Sequence, residues 1–263
     1  MLDYDGEAAI YDLTRGGEPR ARAAAEAVAS LLPPSTRVLV DAACGTGSVT
    51  ALLRSRGRRV LGVDLSHGMA RVAASRLRGT VVLGDATALP LPGSSVDAVT
   101  TIWLFHLLNP GIVARVLSEA ARVVRPGGAL ITTVDKHAAI YDTGCDVAAL
   151  LGPVRARHLA APSDALDTVA AMAARHGLSV AGRTTFTGHG QGGSPRAWRA
   201  MLASGELHWA RRAEPAELAA LDARLAALPG QERPRPDPVY TVIKLATSSA
   251  HRKRVRAGGR RAP

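Results

Sequence analysis

Aromatic residues are scarce in this sequence of 263 residues, where only 3% of the positions hold Phe, Trp or Tyr. Alanine, valine and leucine must therefore fill most of the interior, and an apolar fraction of 47% is large enough for a sizeable core. Few aromatic side chains also count against a protein that stacks on nucleic-acid bases.

Cysteine and long apolar runs are scarce as well. The two cysteines, Cys44 and Cys145, provide no disulfide framework, and no group of His, Cys and carboxylate residues has the spacing of metal ligands. No run of about 18 apolar residues could span a membrane, and the acidic start MLDYDGEAAIYD is unlike a signal peptide. We therefore expect a cytoplasmic protein without a metal and without a membrane partner.

Positive charge is abundant but unevenly placed. The formal net charge is +11, and the segment HRKRVRAGGRRAP at 251–263 holds six of the cations, so the rest of the chain carries 11 − 6 = +5. We interpret residues 248–263 as a basic, disordered tail. This distribution does not favour a nucleic-acid partner, although contact of the tail with an acidic partner stays open.

Apolar, β-branched runs alternate with helical patterns along most of the chain. Strands are predicted at 37–43, 59–64, 80–83, 96–103, 129–135, 178–186 and 239–246. Helical patterns fall at 20–32, 46–56, 68–77, 110–124 and 165–176. The alternation predicts an α/β fold: a doubly wound, mostly parallel, seven-stranded Rossmann-like sheet with helices on both faces.

The domain organisation follows from this pattern. Residues 1–34 form an N-terminal arm and helix, 35–187 the α/β core, and 238–247 the final strand. Between them, 188–237 is predicted as a helical insertion with helices at 196–203 and 215–228, a natural lid over a substrate. Its glycines at 188, 190, 192 and 193 could provide a hinge.

The strongest chemical signal is VLVDAACGTGSVT at 38–50, where a buried strand ends in an acid and enters a glycine-rich turn. Such glycines let the backbone approach a ligand closely. A dinucleotide loop would require a third Gly or Ala where this chain has Thr50, and a P-loop would require a following Gly-Lys-Ser/Thr. The alternative for Asp41 is a cap of the next helix.

Three further blocks follow in order. VLGVDLSHGMA (60–70) places Asp64 at a strand end, where a carboxylate can accept both hydroxyls of a ribose. VVLGDATALPLPGSSVDAVT (81–100) places Asp85 where it can accept from an exocyclic amine, and RVVRPGGALITT (122–133) is a helix, a turn and a strand. Alone, each acid could be a turn residue; together they mark the carboxyl edge of a sheet, where such folds bind ligands.

These four blocks, in this order, resemble the class I S-adenosylmethionine-dependent methyltransferases, in particular the branch of quinone C-methyltransferases and natural-product tailoring enzymes. The resemblance covers about residues 4–135 and the final strand, and it implies S-adenosyl-L-methionine as the cofactor. By resemblance, the amino acid end of the cofactor is surrounded by Asp41, Ala43, Gly45 and Gly47. The family usually has glycine at the position of Ala43, so we expect a modest effect on affinity.

The resemblance assigns the remaining cofactor contacts as well. Asp64 would hold the ribose, with Leu65 and Met69 beside the adenosine, and Asp85 and Ala86 would meet the adenine. Tyr11 and Arg15, in the N-terminal YDLTRGG, would approach the carboxylate. Trp103 would lie near the sulfonium or wall the pocket.

Catalysis of methyl transfer mainly requires alignment, and a base is needed only where the acceptor must lose a proton. The candidate base or orienting residue is His106, because it follows the fourth strand and an ordinary imidazole pKa of about 6.5 suits a base. Simple packing or helix capping is the alternative. Substrate contacts are predicted at Tyr4, Phe105, His137 and Trp209.

The sequence therefore predicts a methyltransferase (EC 2.1.1.-) that acts on an O, N or C nucleophile of a small molecule, with secondary metabolism as the expected setting. The alternatives are a nucleic-acid or protein methyltransferase and a non-catalytic cofactor-binding protein. Against the former, the position after the fourth strand reads WLFH and not an amide-holding Asn-Pro-Pro-Tyr-like turn.

Overall fold

A computed structural model describes residues 3–159 and 162–247. Seven strands form one sheet: β1 (Val38–Ala42), β2 (Arg59–Asp64), β3 (Val81–Leu83), β4 (Val96–Thr101), β5 (Val124–Val134), β6 (Leu178–Thr187) and β7 (Val239–Thr247). Their spatial order is β3-β2-β1-β4-β5-β7-β6. The predicted seven-stranded α/β sheet is confirmed, whereas the basic tail predicted at 248–263 lies outside the described residues.

Strand direction brings the functional ends of the sheet together. β1 pairs in parallel with both β2 and β4, β2 pairs in parallel with β3, and β4 with β5. β7 is antiparallel to both of its neighbours, β5 and β6. The carboxyl ends of β1 to β5 therefore lie along one edge, which we call the carboxyl edge.

Eleven α-helices lie within the described ranges. They are α1 (Tyr4–Glu7), α2 (Tyr11–Thr14), α3 (Gly17–Leu31), α4 (Ser48–Leu52), α5 (His67–Leu77), α6 (Pro110–Val123), α7 (Lys136–Tyr141), α8 (Asp146–His158), α9 (Leu166–Ala174), α10 (Pro195–Ser204) and α11 (Pro215–Ala226). The predicted helix 46–56 is shorter than expected, because the chain leaves the helix after Leu53 and turns at Gly57 with φ +85°.

Two apolar layers cover the two faces of the sheet. On one face, side chains of α6 and α9 such as Leu117 and Val169 pack on Leu130 and Val134 of β5. On the other face, alanines and Val28 of α3 pack on strand residues that include Ile131. The alternation of Leu130 and Ile131 between the layers is the two-residue period of a strand buried on both faces.

A small helical cap lies beside this sheet and is built from two separate connections. Helices α7 and α8 come from the link between β5 and α9, and α10 and α11 come from the insertion between β6 and β7. Their shared core includes Leu151, Trp198, Trp209 and Leu221. The sequence predicted only the second pair of helices, so the insertion 188–237 is one half of the cap.

The glycines predicted as a hinge lie in tight contacts. A Cβ added at Gly188 would lie 2.3 Å from the Tyr240 ring, and one at Gly192 would lie 2.0 Å from the carbonyl oxygen of Arg235. Close packing therefore explains these glycines without a hinge. In the part of the chain that the structure describes, no helix is long and apolar enough to cross a bilayer.

Candidate functional site

The loop between β1 and α4 bends through three residues with left-handed backbone angles. Ala43 has φ +63°, Gly45 +55° and Gly47 +74°. A Cβ built on Gly45 would meet no heavy atom within 4 Å, whereas one on Gly47 would lie 3.2 Å from Cβ of Ala73. The loop is thus open at Gly45 and packed at Gly47. Ala43 occupies the left-handed region that glycine favours, at the backbone cost expected for a residue with a Cβ.

Asp64 ends β2 beside this loop and ties two backbone segments together. Its Oδ2 accepts from the Gly45 amide at 2.7 Å, and its Oδ1 accepts from the Ser66 amide at 2.9 Å. Burial raises the pKa of this carboxyl, although the same amides oppose the shift. Each oxygen has further acceptor capacity, so the carboxylate can still bind two hydroxyls.

The two apolar residues predicted beside an adenosine have opposite surroundings. Leu65 is 71% exposed, an unusual state for leucine, directly after Asp64. Met69 is 2% exposed and its side chain offers no surface to a ligand. We therefore correct the prediction for Met69, which packs inside the protein, and retain Leu65.

Asp41 also departs from its predicted role. Its side chain is 3% exposed, and its two oxygens accept hydrogen bonds from the hydroxyls of Thr50 and Thr100. Burial raises the pKa of Asp41 to about 6, with the threonine hydrogen bonds acting in the opposite direction. The carboxylate therefore fastens the start of α4 to β4 and does not face a ligand.

Asp85 and Ala86 follow β3 at the same edge. Asp85 is exposed, and its Oδ1 accepts from the Thr87 amide at 2.7 Å, which leaves the other oxygen available. Ala86 is partly buried against the core layer of α6. Both remain at positions where the carboxyl edge can be reached.

The N-terminal arm, which we define as α1 and α2, is fastened over the two loops just described. The Asp5 carboxylate accepts from the Ser66 hydroxyl at 2.6 Å and the Gly68 amide at 2.7 Å. Asp12 accepts from the Thr46 hydroxyl at 2.8 Å and pairs with Arg76 at 2.6 Å. The arm therefore bridges the loops that follow β1 and β2.

Tyr4, Tyr11 and Arg15 are carried by this arm. The rings of Tyr4 and Tyr11 lie 6.2 Å apart, and the Arg15 guanidinium lies 5.7 Å from the centre of the Tyr11 ring. Burial raises the pKa of Tyr4 to about 12, and the charge of Asp64 contributes in the same direction. Tyr4 thus belongs to the Asp64 side of the site. Its predicted contact with the substrate stays a prediction.

Trp103 lies just after β4 in a left-handed conformation with φ +58°. Its amide donates to the Thr133 hydroxyl at 2.8 Å, and the Arg20 guanidinium stacks 3.6 Å above the indole. The indole also packs edge-on against Phe186 and Tyr240. These contacts fix the ring at the carboxyl edge, between α3 and the sheet.

His106 lies beside Lys136, which follows β5. The Lys136 Nζ is 3.1 Å from His106 Nε2, and the His106 and His137 rings meet at 4.9 Å. Burial, and then the charge of Lys136, hold the pKa of His106 far below the ordinary imidazole range, and burial lowers that of His137 to about 4. The protonated form of His106 is therefore disfavoured, and its role as a base or an orienting residue stays a prediction.

Lys136 itself is strongly affected by its surroundings. Burial, and then the charges of Arg20 and Arg15, lower its pKa to about 8, while Asp164 opposes this shift. Asp164 is 1% exposed and accepts the Lys136 amide at 2.8 Å through Oδ2. The sequence did not single out Lys136, although its neighbour His137 was noted at the same strand end.

The cap approaches this group through α7 and α8. The Arg155 guanidinium lies 4.6 Å from the centre of the Tyr141 ring, and its charge lowers the pKa of His137. Tyr141 Oη accepts from the Trp209 indole at 3.0 Å. Arg155 and Tyr141 therefore belong to the cap side of the site.

Two predicted substrate contacts are structural residues. Phe105 is fully buried in the main core, and Trp209 is 4% exposed in the core of the cap. Their apolar surface is used by packing, so we correct both predictions. His137 remains beside Lys136. Across the described ranges, no cluster of His, Cys and acidic residues could hold a metal ion.

Comparison with known proteins relates part of this chain to a family. Residues 40–132 match the family model described as "Methyltransferase domain". An uncharacterized methyltransferase of Mycobacterium bovis is 42% identical over 130 residues, which are 49% of this chain and 50% of that protein. A demethylmenaquinone methyltransferase of Thermobifida fusca is 40% identical over 116 residues, 42% of this chain and 48% of that protein. Residues 40–132 are a methyltransferase domain.

The methyltransferase domain contains the open glycine, Asp64, Asp85 and Trp103, and the chain spans about half the length of the curated relatives it matches. Among solved structures, the [4+2]-cyclase SpnF superposes with a TM-score of 0.57 over 93% of each chain at 18% identity. At this identity the likeness concerns the fold. Since the superposed protein is a cyclase, the fold of a methyltransferase domain does not by itself determine the reaction.

The sequence missed the residues that join the methyltransferase domain to its surroundings. Asp5 and Asp12 fasten the arm, and Arg20, Lys136 and Arg155 bring positive charge to the carboxyl edge. The repeated Tyr-Asp pairs near the N-terminus were a usable signal for the arm. Arg20 and Arg155 lie in helices among many other arginines, so no pattern distinguishes them.

Proposed function

We propose that this chain binds S-adenosyl-L-methionine at the carboxyl edge and transfers its methyl group to a nucleophile of a small molecule. The observation that carries the proposal is the left-handed Gly45 with open space around it, next to Asp64, in a methyltransferase domain. A glycine that nothing packs against leaves room for a ligand against the backbone.

The residues at this edge fit such a cofactor. Asp64 has acceptor capacity for ribose hydroxyls, Leu65 offers exposed apolar surface to an adenosine, and Asp85 has a carboxylate oxygen for an amine. Ala43 and Gly47 shape the loop on either side of Gly45. Tyr11 and Arg15 on the arm are proposed to approach the carboxylate, and Trp103 to lie near the sulfonium.

The bound cofactor supplies a methyl group that is already activated by its positive sulfur. The protein has to exclude water and to hold the acceptor in line, which is a task of proximity and orientation. The arm and the cap are suited to exclude water. Because burial and the charge of Lys136 disfavour the protonated form of His106, we propose that it orients the acceptor and does not remove a proton.

A small-molecule acceptor is favoured by the cap. Helices of the cap share one core beside the carboxyl edge, and Arg155, whose guanidinium lies over the Tyr141 ring, contributes to lowering the pKa of His137. A site covered by such a cap would suit a small metabolite better than a duplex or a protein surface. The relatives that act on a quinone support the same choice, and secondary metabolism remains part of the proposal.

Calorimetry with S-adenosylhomocysteine and S-adenosylmethionine tests the cofactor. Asp64→Ala should weaken binding by about 1.5–3 kcal/mol, the scale of hydrogen bonds to a charged group. Asp167→Ala, which removes a carboxylate exposed on α9, is the matched control and should leave the affinity unchanged. NADH should not bind. Unchanged affinity in Asp64→Ala would refute the assignment of this residue.

Transfer is tested separately, by incubating the protein with deuteriomethyl cofactor and extracts of producing cells. A mass shift of one small metabolite is the expected result. Cofactor binding without any labelled product would favour a non-catalytic protein. Label on RNA or protein would favour the other class of methyltransferase.

A further inference from the structure

Five basic side chains meet between the carboxyl edge and the cap. We call them the cationic cluster: Arg20, Lys136, Arg155, His106 and His137. Lys136 Nζ is 3.1 Å from His106 Nε2, and the two histidine rings touch edge to face. After burial, the charge of Arg20 lowers the pKa of Lys136, and the charges of Lys136 and then Arg155 lower the pKa of His137.

The charges in this cluster are not balanced. Arg20, Lys136 and Arg155 are three cations, Asp164 is the carboxylate that acts on Lys136 and on Arg155, and Asp12, which is already paired with Arg76, acts on Arg20. Among the described residues, none of the three cations forms a salt bridge within 4.0 Å. Arg20 is only 4% exposed. Burying unpaired cations is costly, so we expect the excess of positive charge to have a function.

The cluster also contains donors without acceptors. Arg20 Nε, Trp103 Nε1 and one Arg155 Nη are buried and find no hydrogen-bond partner among the described residues. His106 Nδ1 is in the same state. Because the Lys136 ammonium can only donate to His106 Nε2, the imidazole proton must lie on Nδ1. Together with the neighbouring Trp103 indole, the cluster therefore presents four such N–H groups, and Asp164 Oδ1 is a buried acceptor without a partner beside them.

S-adenosylmethionine cannot balance this charge. It brings a sulfonium and an ammonium against one carboxylate, a net charge of +1, and that carboxylate is already proposed to meet Arg15. A bound cofactor would thus increase the positive charge at this edge. A negative charge on the other ligand of the site would offset this excess.

We infer that the methyl acceptor is an anion whose carboxylate or phosphate group binds between Lys136 and Arg155, beside the two histidines. Arginine and lysine bind both groups through charge-assisted hydrogen bonds. His106 Nδ1 donates a further hydrogen bond to the acceptor. This inference rests on the proposed function, since it assigns the second substrate of the same site.

Calorimetry on the full chain, saturated with S-adenosylhomocysteine in phosphate-free buffer, tests the inference. The probes are phenyl phosphate, benzoate and benzamide, which share a ring and differ in charge. At least one anion should bind, with benzamide at least tenfold weaker. Stronger binding of phenyl phosphate would identify a phosphate site, and stronger binding of benzoate a carboxylate site.

Variants locate the bound anion. Lys136→Met and Arg155→Gln should each weaken anion binding at least tenfold and leave the affinity for S-adenosylhomocysteine within about twofold, which also verifies folding. Arg224→Gln removes a charge exposed on α11 and should change neither.

Several results would overturn the inference. These are equal binding of benzamide, no binding of either anion, binding that persists in both variants, or anion binding only when S-adenosylhomocysteine is absent. The last result would assign the cations to the cofactor carboxylate. Failure of S-adenosylhomocysteine itself to bind would refute the proposed function, whereas its binding without an anion refutes the inference alone.

Discussion

Lys136 lowers the stability of the folded protein, and we propose that the same residue binds an anion. Its ammonium faces Arg20, Arg15 and His137, its Nζ contacts His106, and Asp164 is the acid that acts on it. A pKa of about 8 against an ordinary 10.5 means that folding disfavours its charged form. The charge is then retained in spite of its cost to the folded state, as expected for a residue that binds an anion.

Lys136→Met should therefore stabilise the protein at pH 7, by about 1–3 kcal/mol in the free energy of unfolding. The penalty is complete below the folded pKa of about 8 and absent above the unfolded pKa of 10.5, so the gain should shrink as the pH rises from 7 to 10. Urea unfolding at both pH values measures it. Arg224→Gln is the control, and a Lys136→Met protein that is less stable at pH 7 would contradict the prediction.

The same buried, positively charged surroundings change the proposed role of His106 from a base to a hydrogen-bond donor. An imidazole kept neutral by burial and by Lys136 donates a hydrogen bond at a fixed place, and it gains no proton at neutral pH. Position after the fourth strand indicated that His106 belongs to the site. The lowered pKa could not be foreseen, because it depends on burial in the folded protein and on Lys136, which lies thirty residues later in the chain.

At the scale of elements, the loop between β1 and α4 contains one glycine that is packed and one that has open space for a ligand. Gly45 and Gly47 share a left-handed conformation, but only Gly47 is packed, against Ala73 of α5. Gly79, after α5, has φ +80° with no heavy atom within 4 Å of a built Cβ. These three glycines allow backbone strain, packing and ligand contact to be measured apart.

Alanine substitutions at the three glycines should behave differently. Each should lose about 1–2 kcal/mol of stability for its left-handed backbone, and Gly47→Ala about 1–3 kcal/mol more for the contact with Ala73. Only Gly45→Ala should also weaken S-adenosylhomocysteine binding, by at least tenfold. Denaturant unfolding and calorimetry measure the two effects. Equal affinities in Gly45→Ala and Gly79→Ala would place the ligand elsewhere.

The elements of the sheet could be predicted because each carries its own signal. β2 was predicted at its observed bounds from a run of apolar residues ending in Asp64, and parallel strands then place Asp64 and Asp85 at one edge. The burial of Asp41 could not be predicted, since it depends on the hydroxyl of Thr100 on a neighbouring strand.

The first half of the cap was missed for a local reason. α8 contains Gly152 and Pro153 in its interior, a pair that normally ends a helix. Contact of Leu151 and Val154 with the helices of the insertion stabilises it in spite of that pair. Tertiary packing thus overrides the local preference, and no single-segment pattern reports it.

At the scale of the molecule, distant parts of the chain converge on one edge. The arm contacts the loops after β1 and β2, α3 brings Arg20 to Trp103, and the cap brings Arg155 to the end of β5. The cations at this edge, Arg20 and Arg155 among them, belong to the part of the chain that the structure describes. The concentration of charge at 251–263 lies outside the described residues.

Deleting 251–263 should therefore leave the thermal midpoint within about 2 °C and the affinity for S-adenosylhomocysteine unchanged. The arm, sheet and cap are joined by contacts among residues 3–159 and 162–247, and a change of 1 kcal/mol would move the midpoint of a chain of this size by roughly 2–4 °C.

The deletion removes six cations, so any salt-sensitive binding of RNA or DNA by the full chain should disappear with it. Calorimetric melting, S-adenosylhomocysteine titration and nucleic-acid binding at two salt concentrations test the three parts. A large fall in the midpoint would mean that the segment docks on the domain. Nucleic-acid binding that survives the deletion would mean that the domain itself carries the binding surface, and it would favour a nucleic-acid acceptor.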